Sequence, residues 1–156
     1  MGSDGFFVTG TDTECGKTEI TLGLMQCLQT LGHSVVGMKP VASGAEQTAE
    51  GLRNQDALRL QQQSSIDVDY ELVNPYAFAP PIAPHLAAVQ AGVEIDPSRL
   101  QDRARLGLHG YRLPAPDARR FFAVVEKDAP PILGGERLPV DHVETHRLLV
   151  RFVGQI

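Results

Sequence analysis

A chain of 156 residues with 42% hydrophobic content is the size of one ordinary domain and holds enough apolar material for a single core. Its formal charge of -5 and pI near 5.5 exclude nucleic acid or an anionic membrane surface as the main partner, because both demand clustered Lys and Arg; small-molecule chemistry stays open. With no run of about eighteen apolar residues, and no secretory pattern in residues 1–9, a cytoplasmic protein is expected.

Residues 5–10 read GFFVTG, a β-rich run ending in glycine, as a buried strand that feeds a tight turn should. Beyond the turn, Ile20, Leu24, Cys27, Leu28 and Leu31 recur at helical spacing, which predicts a helix over 16–31 with these residues on its buried face and Gly32 at its end. Residues 33–40, HSVVGMKP, predict a second buried strand through Val35, Val36 and Met38, stopped by proline. Strand, helix and strand in this order predict a parallel sheet with a right-handed crossover. Residues 42–53 read as a polar loop, and 54–63, with Ala57, Leu58 and Leu60, as a short amphipathic helix over the sheet edge. Prolines at 75, 80, 81 and 84 exclude helix from 74 to 84, before a helical pattern resumes from His85 to about Ala91. Further on, 121–125 and 148–153 are the two plausible buried strands. Cys15 and Cys27 lie in no C-x-x-C pair and beside no clustered His, so both read as reduced structural thiols.

Gly10 to Thr18 reads GTDTECGKT between the first strand and the first helix, the context a phosphate-binding loop requires. A glycine-rich turn lets successive backbone N–H groups face one cavity, and the helix that follows adds its positive end. Gly16 permits close approach, Lys17 would bridge β- and γ-phosphate oxygens, and the Thr18 hydroxyl would coordinate magnesium. Five residues rather than four separate Gly10 from Gly16, so this is a variant of the common loop.

Lys39 follows the second strand directly, and in a parallel sheet the carboxyl ends of all strands open on the edge that carries the loop. Alone it reads either as a solvated strand end or as a second cation of that pocket. Together, GTDTECGKT, KPVASG at 39–44, EGLRNQDALRLQ at 50–61 and VNPYAFAPPIAPHLAA at 73–88 closely resemble the dethiobiotin synthetase family, over about residues 1–97. The resemblance implies a three-layer α/β P-loop NTPase fold, Rossmann-like, with a parallel sheet that is incomplete here. It also implies ATP and Mg2+, a homodimer, and ring closure on 7,8-diaminopelargonate with CO2 in biotin biosynthesis. By the same resemblance Lys17 and Thr18 hold phosphate and metal, and Thr13, Glu14, Cys15 and Gly16 complete the nucleotide loop. Lys39 stabilises the carbamate and the phosphoryl group in flight, Ser43 contacts substrate, and Asp56 joins Thr18 at the magnesium. By its position alone, Asp56 reads as a helix-start carboxylate favoured by the dipole rather than as a metal ligand.

The composition changes near Leu100: five of the fourteen basic residues precede it, and nine, eight of them arginine, fall in the remaining 56 positions. Residues 1–100 are therefore read as the ATP-binding part and 101–156 as an unassigned tail of out-of-frame or foreign character. The family continues with a V-E-G-A-G-G-like strand end whose glutamate binds magnesium. The nearest match is FFAVVEKD at 121–128, where Glu126 reads as a Walker-B-like acid or as a solvated strand-end carboxylate. His142 and His146 flank Glu144 at helical spacing but lack a third ligand spaced for zinc, and read as exposed histidines. Two functions stand at this point: an ATP-dependent ring-closing ligase, or a nucleotide-binding fragment or partner-regulated ATPase without that chemistry. Lys39, Ser43 and the Pro-His motif favour the first.

Overall fold

The computed structural model describes residues 3–10, 15–109, 120–125 and 148–153. In chain order the elements are β1 (Ser3–Gly10), α1 (Lys17–Thr30), β2 (Ser34–Met38), β3 (Val41–Ser43), β4 (Glu46–Thr48), β5 (Gly51–Arg53) and α2 (Gln55–Gln63). They continue with α3 (Tyr70–Val73), β6 (Tyr76–Phe78), α4 (Pro84–Ala91), α5 (Pro97–His109), β7 (Arg120–Val125) and β8 (Leu148–Val153).

The main sheet has the order β2-β7-β1-β8. β7 runs parallel to both β1 and β2, with Val8 opposite Val125 and Met38 opposite Val124, while β8 closes the other edge antiparallel to β1. The parallel relation of the first two strands is as expected, but they are not neighbours. A strand from the arginine-rich segment lies between them, and the composition change near Leu100 falls inside α5. All five residues of β2 are buried. Successive side chains of a strand point to opposite faces, so the sheet is covered on both. On one face, Gly37 is so close to Met25 of α1 and Leu60 of α2 that an added β-carbon would lie 2.9 Å and 3.0 Å from them.

The outer edge of β2 is satisfied by the chain that follows α2. The Val35 N–H donates to Ser65 Oγ at 2.7 Å, the Gly37 N–H to Ser64 Oγ at 3.2 Å, and the Lys39 N–H to the Val73 carbonyl at 2.8 Å. A strand edge treated in this way offers no row of open donors to another sheet.

The buried face of α1 differs from the sequence expectation. Thr18, Thr21, Met25 and Leu28 are buried, whereas Ile20 and Leu31 are 46% and 71% exposed and Cys27 is exposed. The cause is the loop in front of the helix. With Lys17 and Thr18 turned inward at the first turn, a rigid helix at 3.6 residues per turn carries positions 21, 25 and 28 inward with them. Thr21 is tolerated there because its hydroxyl donates to the Lys17 carbonyl at 2.8 Å.

The polar stretch after Lys39 is more regular than a loop. β3 pairs parallel with β6, and β4 and β5 form a small antiparallel hairpin. These strands are three residues long and the hairpin is polar, so neither leaves an apolar period to read. α2 begins where expected because Asn54 caps it, its Oδ1 accepting the Ala57 N–H at 3.2 Å. A second cluster of Val41, Tyr76, Phe78, Ala87 and Ala88 ties α4 to the β3–β6 pair.

Candidate functional site

β1 ends at Gly10 and α1 starts at Lys17, with Gly16 as its N-cap at a φ of 87°, in the left-handed region that favours glycine. The Gly16 carbonyl accepts the Ile20 N–H at 3.0 Å, which starts the helix. Lys17 and Thr18 are buried, at 8% and 9% exposure. The Lys17 ammonium donates to Cys15 Sγ at 3.4 Å, and its stem folds across Gly10. Both cysteines are free thiols.

That packing makes Gly10 testable. A β-carbon there would lie 2.5 Å from Cys15 Sγ and 3.3 Å from Lys17 Cγ. Gly10→Ala is expected to displace the loop and lower nucleotide affinity by about tenfold, since positioning errors of an ångström are costly at a phosphate site. The double variant Gly10→Ala/Cys15→Ala removes the clashing sulfur and recovers most of the loss in a calorimetric titration.

Lys39 follows β2, and its ammonium pairs with Asp56 Oδ2 at 2.7 Å; the two side chains are 15% and 39% exposed. Asp56 is the second residue of α2, where the helix dipole favours a carboxylate. Burial alone would raise its pKa. The hydrogen bond and charge of Lys39, the Thr18 hydroxyl and the charge of Arg59 together outweigh burial and hold it below its ordinary value. Thr18 of the loop, Lys39 after β2 and Asp56 on α2 therefore form one constellation, beside the buried Lys17.

Arg59, one turn beyond Asp56, grips Glu19 of α1 with both guanidinium nitrogens, one of them at 2.9 Å. This hydrogen bond keeps the exposed Glu19 carboxyl below its ordinary pKa. Ser43 ends β3 half-buried, and its carbonyl accepts from Asn54 Nδ2 at 3.3 Å.

Thr13 and Glu14 lie outside the described residues, as do Glu126, His142, Glu144 and His146. Among the described residues no cluster of three or more His, Cys, Asp or Glu could hold a metal ion, and no helix is long and apolar enough to cross a membrane. Sequence reasoning missed the Glu19–Arg59 pair and the polar side chains of Tyr70 and Asn74. Glu19 and Arg59 are forty residues apart, and although Tyr70 and Asn74 are four apart, the Lys39 and Asn54 segments they join are distant in the chain; the local signal was the capping position of Asn54.

A strand, a glycine turn and a helix opening on Lys-Thr, in an α/β sheet with both faces covered, define a P-loop NTPase domain. Comparison with known families agrees: the chain belongs to the family described as the AAA domain, which matches residues 4–122. It is similar to enzymes named ATP-dependent dethiobiotin synthetase. The relative from Pseudomonas paraeruginosa (strain DSM 24068 / PA7) is 48% identical over 149 residues, covering 96% of this chain and 60% of the relative. That from Pseudomonas aeruginosa (strain LESB58) is 59% identical over 100 residues, covering 64% of this chain and 44% of the relative. That from Escherichia coli O157:H7 is 42% identical over 139 residues, covering 82% and 62% respectively. The chain thus spans from 44% to 62% of the length of these relatives.

Proposed function

We propose that this chain binds ATP at Gly16, Lys17 and Thr18 and carries the phosphoryl-transfer half of a dethiobiotin synthetase site. The observation that carries the reading is the Lys39–Asp56 pair at 2.7 Å, placed beside Thr18 of the phosphate loop. In the proposed reaction an amine nitrogen of 7,8-diaminopelargonate attacks the carbon of CO2 and loses a proton, forming a carbamate. A carbamate oxygen then attacks the γ-phosphorus of ATP, and ADP leaves. The second amine attacks the resulting carbamic–phosphoric anhydride at carbon, expels phosphate, loses its proton and closes the ureido ring.

Bringing a carbamate and a γ-phosphate into line sets two anions against each other, so the site must supply fixed positive charge. Lys17 and the loop N–H groups do this on the nucleotide side, and Lys39 on the carbamate side, with Asp56 steadying its ammonium. Ser43 and the nearby segment would hold the diamine. Thr18 and Asp56 offer a hydroxyl and a carboxylate, hard oxygen donors that would hold a magnesium ion. When bound, that ion neutralises charge on the phosphates. Thr13, Glu14 and Cys15 would complete the nucleotide loop.

A cytoplasmic enzyme is part of the same proposal, supported by the likeness to the named enzymes. A homodimer belongs to the same proposal, on the strength of the sequence resemblance.

Incubating the chain with ATP, magnesium, bicarbonate and 7,8-diaminopelargonate tests the reading. Dethiobiotin is expected, with one ADP and one phosphate per ring closed. Nucleotide binding or slow hydrolysis without dethiobiotin would instead make the chain a nucleotide-binding unit without the ring-closing chemistry.

A further inference from the structure

A buried polar network joins the three segments that carry Lys39, Ser43 and Asp56, and Tyr70 is its centre. The Tyr70 hydroxyl accepts the Asn54 N–H at 2.7 Å and donates to Asn74 Oδ1 at 3.0 Å. Asn74 turns its amide nitrogen to the main chain, donating to the Lys39 carbonyl at 2.6 Å and to the Tyr76 carbonyl at 3.2 Å. Asn54 caps the helix that bears Asp56 and donates Nδ2 to the Ser43 carbonyl. The Arg53 guanidinium covers the Tyr70 ring, 4.2 Å from its centroid. Asn54, Tyr70 and Asn74 are all buried.

A hydroxyl that accepts once and donates once fixes the separation of the two chains it bridges. Here one of those chains leads to the Lys39 backbone and the other is the first turn of α2. We propose that Tyr70 is a positioning residue: its hydroxyl holds the Lys39 segment and the N-terminus of α2 in the one register that keeps Lys39 paired with Asp56 beside Thr18. Tyr70 itself needs no contact with nucleotide or substrate. Burial pushes the phenol above its ordinary pKa, against the lowering effects of the Asn54 N–H and of Arg53, so the hydroxyl keeps the proton it donates to Asn74. The kinetic consequence rests on the function proposed above, whereas the geometric claim does not.

Tyr70→Phe keeps the ring under Arg53 and removes the bridge alone. Turnover in dethiobiotin formation is expected to fall by about 10- to 100-fold, as for other residues that orient reacting groups through a hydrogen bond. The KM for ATP is expected to change by less than about threefold, because Lys17 and the loop are untouched.

The geometric readout is trace acylation with an N-hydroxysuccinimide acetate, resolved by mass spectrometry at Lys39 and, in the same sample, at Lys17. Loosening the pair with Asp56 releases the Lys39 side chain to the reagent while Lys17 stays packed in the loop, so the Lys39-to-Lys17 labelling ratio is expected to rise about threefold or more. A purely structural role would expose both lysines together and leave the ratio constant while lowering the melting temperature. An unchanged ratio, or folded Tyr70→Phe with full turnover, overturns the proposal. If the parent chain makes no dethiobiotin, a raised ratio still upholds the positioning role and an unchanged one still refutes it. Should Tyr70→Phe not fold, Asn74→Ser, which shortens the same link and keeps a hydroxyl in the buried site, is judged by the same ratio.

Discussion

Replacing Lys17 by methionine is expected to lower the affinity for magnesium ATP by about 10- to 100-fold, since a hydrogen bond to a charged group contributes about 1.5–3 kcal/mol. Methionine keeps most of the apolar stem that packs across Gly10, so the loss isolates the ammonium. Turnover is expected to fall further, by about 100- to 1000-fold, because charge at the β–γ bridge grows in the transition state and a preorganised donor there matters most at that point. Isothermal titration calorimetry measures the first effect and single-turnover phosphate release the second. Wild-type heats of binding in Lys17→Met would remove the phosphate loop from the site and, with it, the functional proposal.

The second large effect is expected at Lys39 and has the opposite kinetic signature. Lys39→Met leaves Gly16, Lys17 and Thr18 in place, so affinity for magnesium ATP is expected to change by less than about threefold, while turnover is expected to fall by about 1000-fold through loss of the cation that the proposed reaction sets against the carbamate. A matching rise in the KM for ATP would show that Lys39 serves nucleotide binding instead.

The same variant alters the acid stability of the fold. In the parent chain the Asp56 carboxyl is held below its ordinary pKa, so its contribution to stability is present above the unfolded value of 3.8 and is lost as pH falls through the lower folded value. Without Lys39 the burial of Asp56 is opposed by the Thr18 hydroxyl, the more distant Arg59 and the dipole of α2. Its pKa moves up, and the acid limb of the stability profile shifts to higher pH. Because the Asp56 side chain is 39% exposed, solvent screening holds the change to about 1 kcal/mol or less. Thermal melts between about pH 3 and pH 7 read it directly. Superimposable profiles for parent and variant would mean that the pair is not maintained in solution.

Much of this arrangement is legible in the letters because the responsible forces act over a few residues. An apolar β-rich run ending at Gly10, a glycine where the backbone must turn left-handed at 16, and a Lys-Thr opening to a helix specify strand, loop and helix in register. Asn54 marks the start of α2 because its side chain caps its own neighbours. Proline at 84, read with the prolines that exclude helix, instead opens α4, where its missing N–H costs nothing. Chain-local rules of this kind place Lys17 and Thr18 at the start of the helix that follows β1, and Lys39 directly after β2.

Tertiary structure decided what depends on closure over long stretches of chain. The apolar positions of α1 fit more than one face; the inward turn of Lys17 and Thr18 selected Thr21, Met25 and Leu28 and left Ile20 and Leu31 at the surface. The place of β7 between β1 and β2 follows from pairing across more than eighty residues, for which no local period exists. The Lys39–Asp56 pair, across seventeen residues, and the Tyr70 bridge from Asn54, across sixteen, are likewise products of folding, since hydrogen bonds at such separations leave no trace in spacing. Sequence by itself determined the phosphate loop and the elements flanking it, through backbone conformation and capping; the fold alone decided which face of α1 is buried, which strand divides the sheet and which groups surround Lys39, because those outcomes minimise the free energy of the whole packed core rather than of any one segment.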